Sequence, residues 1–228
     1  MYDYGEACPI SKATQVLCER WTLQIIREMS LGASRFTELQ KYLPRISPSL
    51  LTSRLKMLVD NGIAIRKRTP EKRGFEYHLT AAGKELKPVL DALGTWGMSW
   101  VFDSLNDTQL DAVTLMRHIA IAVDVDNLPD CDTVLQFTIT DIDVPRRNFV
   151  IINDGKREYC DENPGHEVDV YFRSTLRDLS AVYWGEVGIL TAVDSGKIKV
   201  TGSPGYTRNM SKWFPHSTFA GCNPRRPV

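Results

Sequence analysis

Ser47, Ser49, Thr52, Ser53 and Lys56 place four hydroxyls and one primary amine within ten residues. At about 100° per residue, Ser49, Thr52, Ser53 and Lys56 share one side of a helix, and Leu51, Leu55 and Leu58 share the opposite side. Hydroxyls and amines arrayed in this way can meet base edges and phosphate oxygens in a major groove. A short distance on, Arg66, Arg68, Lys72 and Arg73, with Lys67, flank a turn and could neutralise phosphates. An ordinary amphipathic surface helix would explain residues 45–58 taken alone, so the flanks decide the reading. Arg54 falls at the apolar border, where an internal ion pair and a DNA contact stay equally open.

No other set of residues carries reactive chemistry. There is no H-E-x-x-H, no G-x-S-x-G and no Walker-type glycine loop. His78, His118, His166 and His216 lie far apart without metal-ligand spacing, and His78 reads as structural within a strand. The chain therefore reads as no enzyme, with no cofactor and no metal.

The elements around the hydroxyl face have a definite order. Residues 10–29 read as helix, with Gly32 breaking the pattern, and Ser34 is placed to cap a short helix ending before Pro44. Ser47 and Pro48 suit the cap and first position of the next helix, which stops at Asn61-Gly62. IAIRKRT and GFEYHLT follow as two alternating strands around residues 70–74. Thr80 begins a long helix reaching about Ser104, in which Pro88 either bends or resets the path. Helix, short helix, turn, polar-faced helix and basic hairpin is the order of a winged helix-turn-helix.

Bulk composition agrees. The 228 residues are 43% hydrophobic and 25% charged with a formal net charge of zero, a globular balance. Residues 1–100 carry 15 Lys+Arg against 10 Asp+Glu, residues 101–228 carry 13 against 18, and the span 35–73 carries 10 against 3. The basic surface is thus confined to one part of the first half, a footprint for polyanions. Cys8, Cys18, Cys131, Cys160 and Cys222 are scattered and odd in number, which suits a reducing compartment. With no signal-peptide pattern and no apolar run of about 20 residues, the expectation is a soluble, cytoplasmic protein without a membrane.

CPISKATQVLCERWTLQIIREM, SRFTELQKYLPRISPSLLTSRLKMLVDNGIAIRKR and YHLTAAGKELKPVLDALGTWG together resemble the HxlR-type branch of the MarR-like transcription regulators, from about Cys8 to Trp100. The resemblance implies a homodimer whose terminal helices pair and present two recognition helices to double-stranded DNA at a palindromic operator. It also matches Cys8 to an N-terminal cysteine that some members use as a redox or electrophile switch. Cys18-Glu19 departs from the small-residue pair usual before the basic-Trp step.

The second half reads as α+β. A helix spans Asp107–Val123, VLQFTIT alternates as a half-buried strand, and Asp154-Gly155 marks a hairpin. Thr175 is placed to cap LRDLSAVYWGE, KIKVTGS follows as a strand, and Pro204 opens a last helix. EVDVYFRSTLRDL and EVGILTAVDSGKIKVTGSP resemble the sterol-carrier-protein lipid-binding fold, which implies an apolar tunnel between an antiparallel-rich sheet and helices. Its candidate liners are Phe137, Val170, Phe172, Tyr183, Trp184, Ile189, Leu190, Met210 and Trp213.

The expected organisation is a DNA-binding and dimerising domain over residues 1–105 and a ligand-binding domain over 106–228. The function read from it is a DNA-binding regulator whose second domain senses a small hydrophobic ligand. Two alternatives are a lipid carrier in which the helix-turn-helix only dimerises or recruits, and a regulator switched at Cys8 with an architectural second domain.

Overall fold

The computed structural model describes residues 4–69, 74–101, 110–143 and 146–222. The chain divides into two compact units, Met1–Gly94 and Thr95–Val228.

The first unit begins with α1 (Pro9–Leu17) and α2 (Thr22–Ser30), so the helix expected over 10–29 is two. Trp21 takes a left-handed φ of 75° at the join. The two apolar stripes of that stretch therefore sit on separately oriented helices. Only α2 buries residues fully, through Ile25 and Ile26. α3 (Phe36–Tyr42) is capped differently from the expectation at Ser34. Glu38 Oε2 accepts from the backbone N–H of Ser34 at 2.9 Å and of Arg35 at 3.0 Å, leaving the Ser34 hydroxyl out of the cap. A carboxylate there also complements the positive helix start.

α4 (Pro48–Asp60) starts as the sequence indicates: Leu50 N–H donates to Ser47 Oγ, and Pro48 fills the first position. Its end is a Schellman closure. Gly62, at φ 68°, donates to Val59 O, and Ile63 N–H donates to Leu58 O. Strands β1 (Ala64–Arg68) and β2 (Phe75–Leu79) pair antiparallel, with Ala64 opposite Leu79 and Arg68 opposite Phe75. Tyr77 N–H donates to Ser34 O at 2.7 Å, tying the hairpin base to the start of α3.

The long helix expected from Thr80 is also divided, into α5 (Ala81–Lys84) and α6 (Lys87–Trp100). Pro88, second in α6, has no N–H for the Lys84 carbonyl and its ring would crowd that oxygen, so the helix restarts. The expected continuation to Ser104 falls on residues outside those described. Ile25, Ile26, Leu39, Ile46, Leu51, Leu55 and Leu58 form the centre of this unit's core.

In the second unit, α7 (Ala112–Ala122) is capped by Asp111, whose Oδ1 accepts from Thr114 N–H at 2.7 Å. The start expected at Asp107 lies outside the described residues. The loop expected over DVDNLPDCD holds a short 3-10 turn, Val125–Asn127. Five strands follow in the spatial order β5-β4-β3-β6-β7. They are β3 (Thr133–Ile139), β4 (Arg147–Asn153), β5 (Lys156–Cys160), β6 (Val170–Ser174) and β7 (Ile198–Gly202). β3 pairs parallel with β6, while the other three pairings are antiparallel. Asp154 (φ 47°) and Gly155 (φ 74°) make the two-residue turn between β4 and β5.

The handover from β6 to α8 (Leu176–Tyr183) is capped by Thr175, whose hydroxyl accepts from Asp178 N–H at 3.0 Å. α9 (Ile189–Asp194) leads into β7. The last helix expected from Pro204 is two short ones, α10 (Pro204–Arg208) and α11 (Met210–Trp213). One alternating set of strand residues, Leu135, Phe137, Val150, Ile152, Val170 and Phe172, joins α7–α11 in a single core. On the other face, Tyr171, Arg173, Lys199 and Thr201 of β6 and β7 are exposed, while Val134 and Phe149 of β3 and β4 are buried.

Candidate nucleic-acid interface

α4 has the two faces its spacing dictates. Leu51, Leu55 and Leu58 are at most 1% exposed, whereas Ser47, Ser49, Thr52, Ser53 and Lys56 all stand in solvent. Thr52 Oγ1 donates to Pro48 O at 2.9 Å, leaving its lone pairs outward. Lys56 Nζ contacts Asp60 one turn on, at 2.5 Å. Such an exposed pair is worth little and can exchange partners.

Arg54, left open by its angle, forms the internal pair. One guanidinium nitrogen meets Glu19 Oε2 at 2.7 Å, and Nε donates to Arg20 O at 2.9 Å. Glu19 belongs to the Cys18-Glu19 departure noted in the sequence. That residue therefore anchors the polar-faced helix to the α1–α2 join, a pairing across 35 positions that no local pattern signals.

On the hairpin, Arg66 and Arg68 are exposed. Lys72 and Arg73 lie outside the described residues. Two further groups shape this element without having been singled out. The ring of Phe75 lies under the Arg66 guanidinium, 3.4 Å from ring centroid to Cζ. Glu76 accepts from Arg35 Nε and a second guanidinium nitrogen at 3.2 and 3.1 Å, and lies 3.4 Å from His78 Nε2. The Arg35 hydrogen bonds hold its carboxyl below the usual range. An acid inside a run of cations was the available signal for that bridge.

Cys8 is the cap residue of α1, followed by Pro9. Hydrogen bonds from the backbone N–H groups of Ser11 and Ile10, and then from the Ser11 hydroxyl, lower its thiol pKa. The same Ser11 hydroxyl also lies against the Glu6 carboxylate, so its one proton is shared between the two acceptors. A free helix start favours thiolate, so this thiol differs from Cys131, whose pKa is raised by Asp130 and Asp132.

Of the liners expected in the second unit, Phe137, Val170, Phe172, Tyr183, Ile189, Met210 and Trp213 are buried in one core and Trp184 packs against it. They touch one another: the Phe137 and Phe172 rings stack at 4.6 Å, and Trp213 meets Phe172 edge-on at 6.1 Å. Phe214, missing from the expected set, lies 5.4 Å from Phe172. Leu190 is 49% exposed on the outer side of α9 and stands apart from that core. α9 is too short for periodicity to tell its inner side from its outer.

Among the described residues, no group of His, Cys, Asp or Glu could hold a metal ion, and no helix is long and apolar enough to cross a membrane.

Comparison with known proteins agrees with the geometry of the first unit. A family profile described as HxlR-like helix-turn-helix matches residues 16–104. The chain is 36% identical over 107 residues to the uncharacterised HTH-type transcriptional regulator YvaP of Bacillus subtilis, covering 46% of this chain and 99% of that one. An uncharacterised HTH-type transcriptional regulator of Synechocystis is 37% identical, covering 44% of this chain and 75% of the relative. Another, from Methanothermobacter thermautotrophicus, is 33% identical, covering 42% and 75%. With α3 and α4 as its helix-turn-helix pair and β1–β2 as its wing, the chain belongs to the HxlR-like helix-turn-helix family of transcription regulators.

Proposed function

We propose that the chain binds double-stranded DNA as a homodimer, with the α4 face of Ser47, Ser49, Thr52, Ser53 and Lys56 in the major groove. Arg66 and Arg68, with Lys72 and Arg73 beyond them, then neutralise flanking phosphates. The observation carrying this reading is the separation of faces on α4: Leu51, Leu55 and Leu58 are buried, and Ser47, Ser49, Thr52, Ser53 and Lys56 are exposed, as are Arg66 and Arg68 on the wing. Alanine at Lys56, Arg66 and Arg68 together should weaken duplex binding and lower the salt slope by about three, one per lost phosphate contact. Unchanged affinity and slope would remove this docking.

The dimer is supported by α6. Leu86 and Leu90 pack against the first unit's core, whereas Val89, Leu93, Trp96 and Trp100, spaced as one helical stripe, are 43–58% exposed. A stripe of that size is costly to leave in water. Light scattering should give twice the chain mass at micromolar concentration, and a monomer would count against it.

A sensor role for the second unit draws support from the residues that resemble the sterol-carrier fold, which form β6–α8 and α9–β7. Two of the expected liners, Phe137 and Phe172, stack on one another at 4.6 Å. Thermal shifts with fatty acids, sterols and aromatic metabolites test the sensor role. No stabilisation by any class would eliminate the sensor. The lowered thiol of Cys8 supports a second reading, a redox switch. Oxidant-dependent release from DNA that persists in Cys8→Ser would exclude it.

A further inference from the structure

Phe75 is an exposed aromatic residue on a two-stranded ribbon, 43% accessible, where a polar residue would keep less apolar surface in water. The register explains its place. Arg66 stands opposite Tyr77 and Arg68 opposite Phe75, so Phe75 is the diagonal neighbour of Arg66. The Arg66 Cζ lies over the ring, 3.4 Å from its centroid, a close contact of cation on π-face. Stacking uses the face of the guanidinium and leaves its N–H edge free. Among the described residues, Arg66 spends none of those donors on a protein acceptor.

We infer that Phe75 is a positioning residue for DNA binding: its ring holds the Arg66 guanidinium in one orientation, edge outward, ready to grip a phosphate oxygen. The inference rests on the DNA-binding reading above and adds a residue to it. A free arginine must be immobilised when it meets a phosphate, and a stacked one already is. The ring therefore acts on affinity through order and leaves the number of phosphate contacts unchanged.

The test is a double-mutant cycle on the full chain with a random-sequence DNA duplex, each variant titrated at several salt concentrations. Phe75→Leu should weaken binding about fivefold with the salt slope unchanged, because no charge is lost. Phe75→Tyr should restore binding, since it keeps the π-face. Arg66→Lys, which keeps charge without a planar stack, should behave like Phe75→Leu. In an Arg66→Ala background, Phe75→Leu should have no further effect. Phe75→Leu binding like the parent would overturn the inference, as would an equal loss in the Arg66→Ala background, which marks a merely structural ring. If Phe75→Leu fails to fold, Arg66→Lys and Phe75→Tyr still decide. Failure of the underlying reading looks different: the parent does not bind the duplex, or Arg66→Ala leaves affinity and slope unchanged.

Discussion

The two units use their side chains in opposite ways. In the first, the candidate contacts occupy the outer side of α4 and the wing, while the inner side of the same helix supplies Leu51, Leu55 and Leu58 to the core. In the second, the residues proposed to meet a ligand, among them Phe137, Phe172 and Trp213, are themselves the core. Chemistry and stability can therefore be altered separately in one unit and only together in the other. An outward face evolves without unfolding the protein; an inward one must be repacked each time.

The sharpest way to break that contrast is to truncate both kinds of residue. Phe172→Ala removes a ring packed against Phe137, Trp213 and Phe214 and should cost about 3–5 kcal/mol. Leu55→Ala should cost the first unit about 2–5 kcal/mol. Thr52→Ala and Lys56→Ala, on the same helix as Leu55, should each change stability by no more than about 0.5 kcal/mol. Denaturant melts of the four variants check this, and a stability loss in Lys56→Ala comparable to Leu55→Ala would erase the separation of faces.

A smaller effect tests how the wing is seated. A Cβ on Gly83 would lie 2.2 Å from the Ile63 carbonyl oxygen, which is backbone and cannot swing away. Thr80 Oγ1, which donates to Gly62 O at 2.7 Å and accepts from Gly83 N–H at 3.2 Å, holds α5 against that strand start. Gly83→Ala should cost about 1–3 kcal/mol through overpacking. A melt equal to the parent's would show that α5 is free to move off β1.

Legibility followed the same divide. The two faces of α4, its Ser47-Pro48 start and its Gly62 stop were readable because cap and periodicity are local. The break at Trp21 was not, since each side of it continues a helical pattern and only the tertiary fit of α2 demands the left-handed residue. Pro88 announced a disturbance in the long helix, while the choice between bend and restart lay in the packing of α5. In the second unit, alternation identified which strand residues point inward. It could not distinguish a wall from a filling, nor show that Leu190 faces out and Phe214 in.

Arg54 sits where the two faces of α4 meet, so its partner sharpens the comparison. Both side chains of the Arg54–Glu19 pair are largely covered, at 16% and 30% exposure. Glu19→Gln should cost about 1 kcal/mol and free the guanidinium toward the polar side. DNA binding should then tighten slightly and its salt slope rise. A slope equal to the parent's would place Arg54 on the inner face even without its partner.

The smallest effect belongs to Glu76, the acid within the basic wing. Its carboxyl titrates below the ordinary range because Arg35 donates two hydrogen bonds to it. The folded form thus holds the proton less tightly than the unfolded one. The bridge's contribution is complete above the unfolded carboxyl pKa and is lost as pH falls through the folded value. Since the pair links the start of α3 to β2, acid should loosen the wing base before it affects the leucine core. Glu76→Gln removes this titration, so parent and variant should converge in stability at low pH and separate, with the parent the more stable, toward neutrality. Melts across the acid range that stay parallel would show that the bridge contributes nothing to holding the wing on its unit.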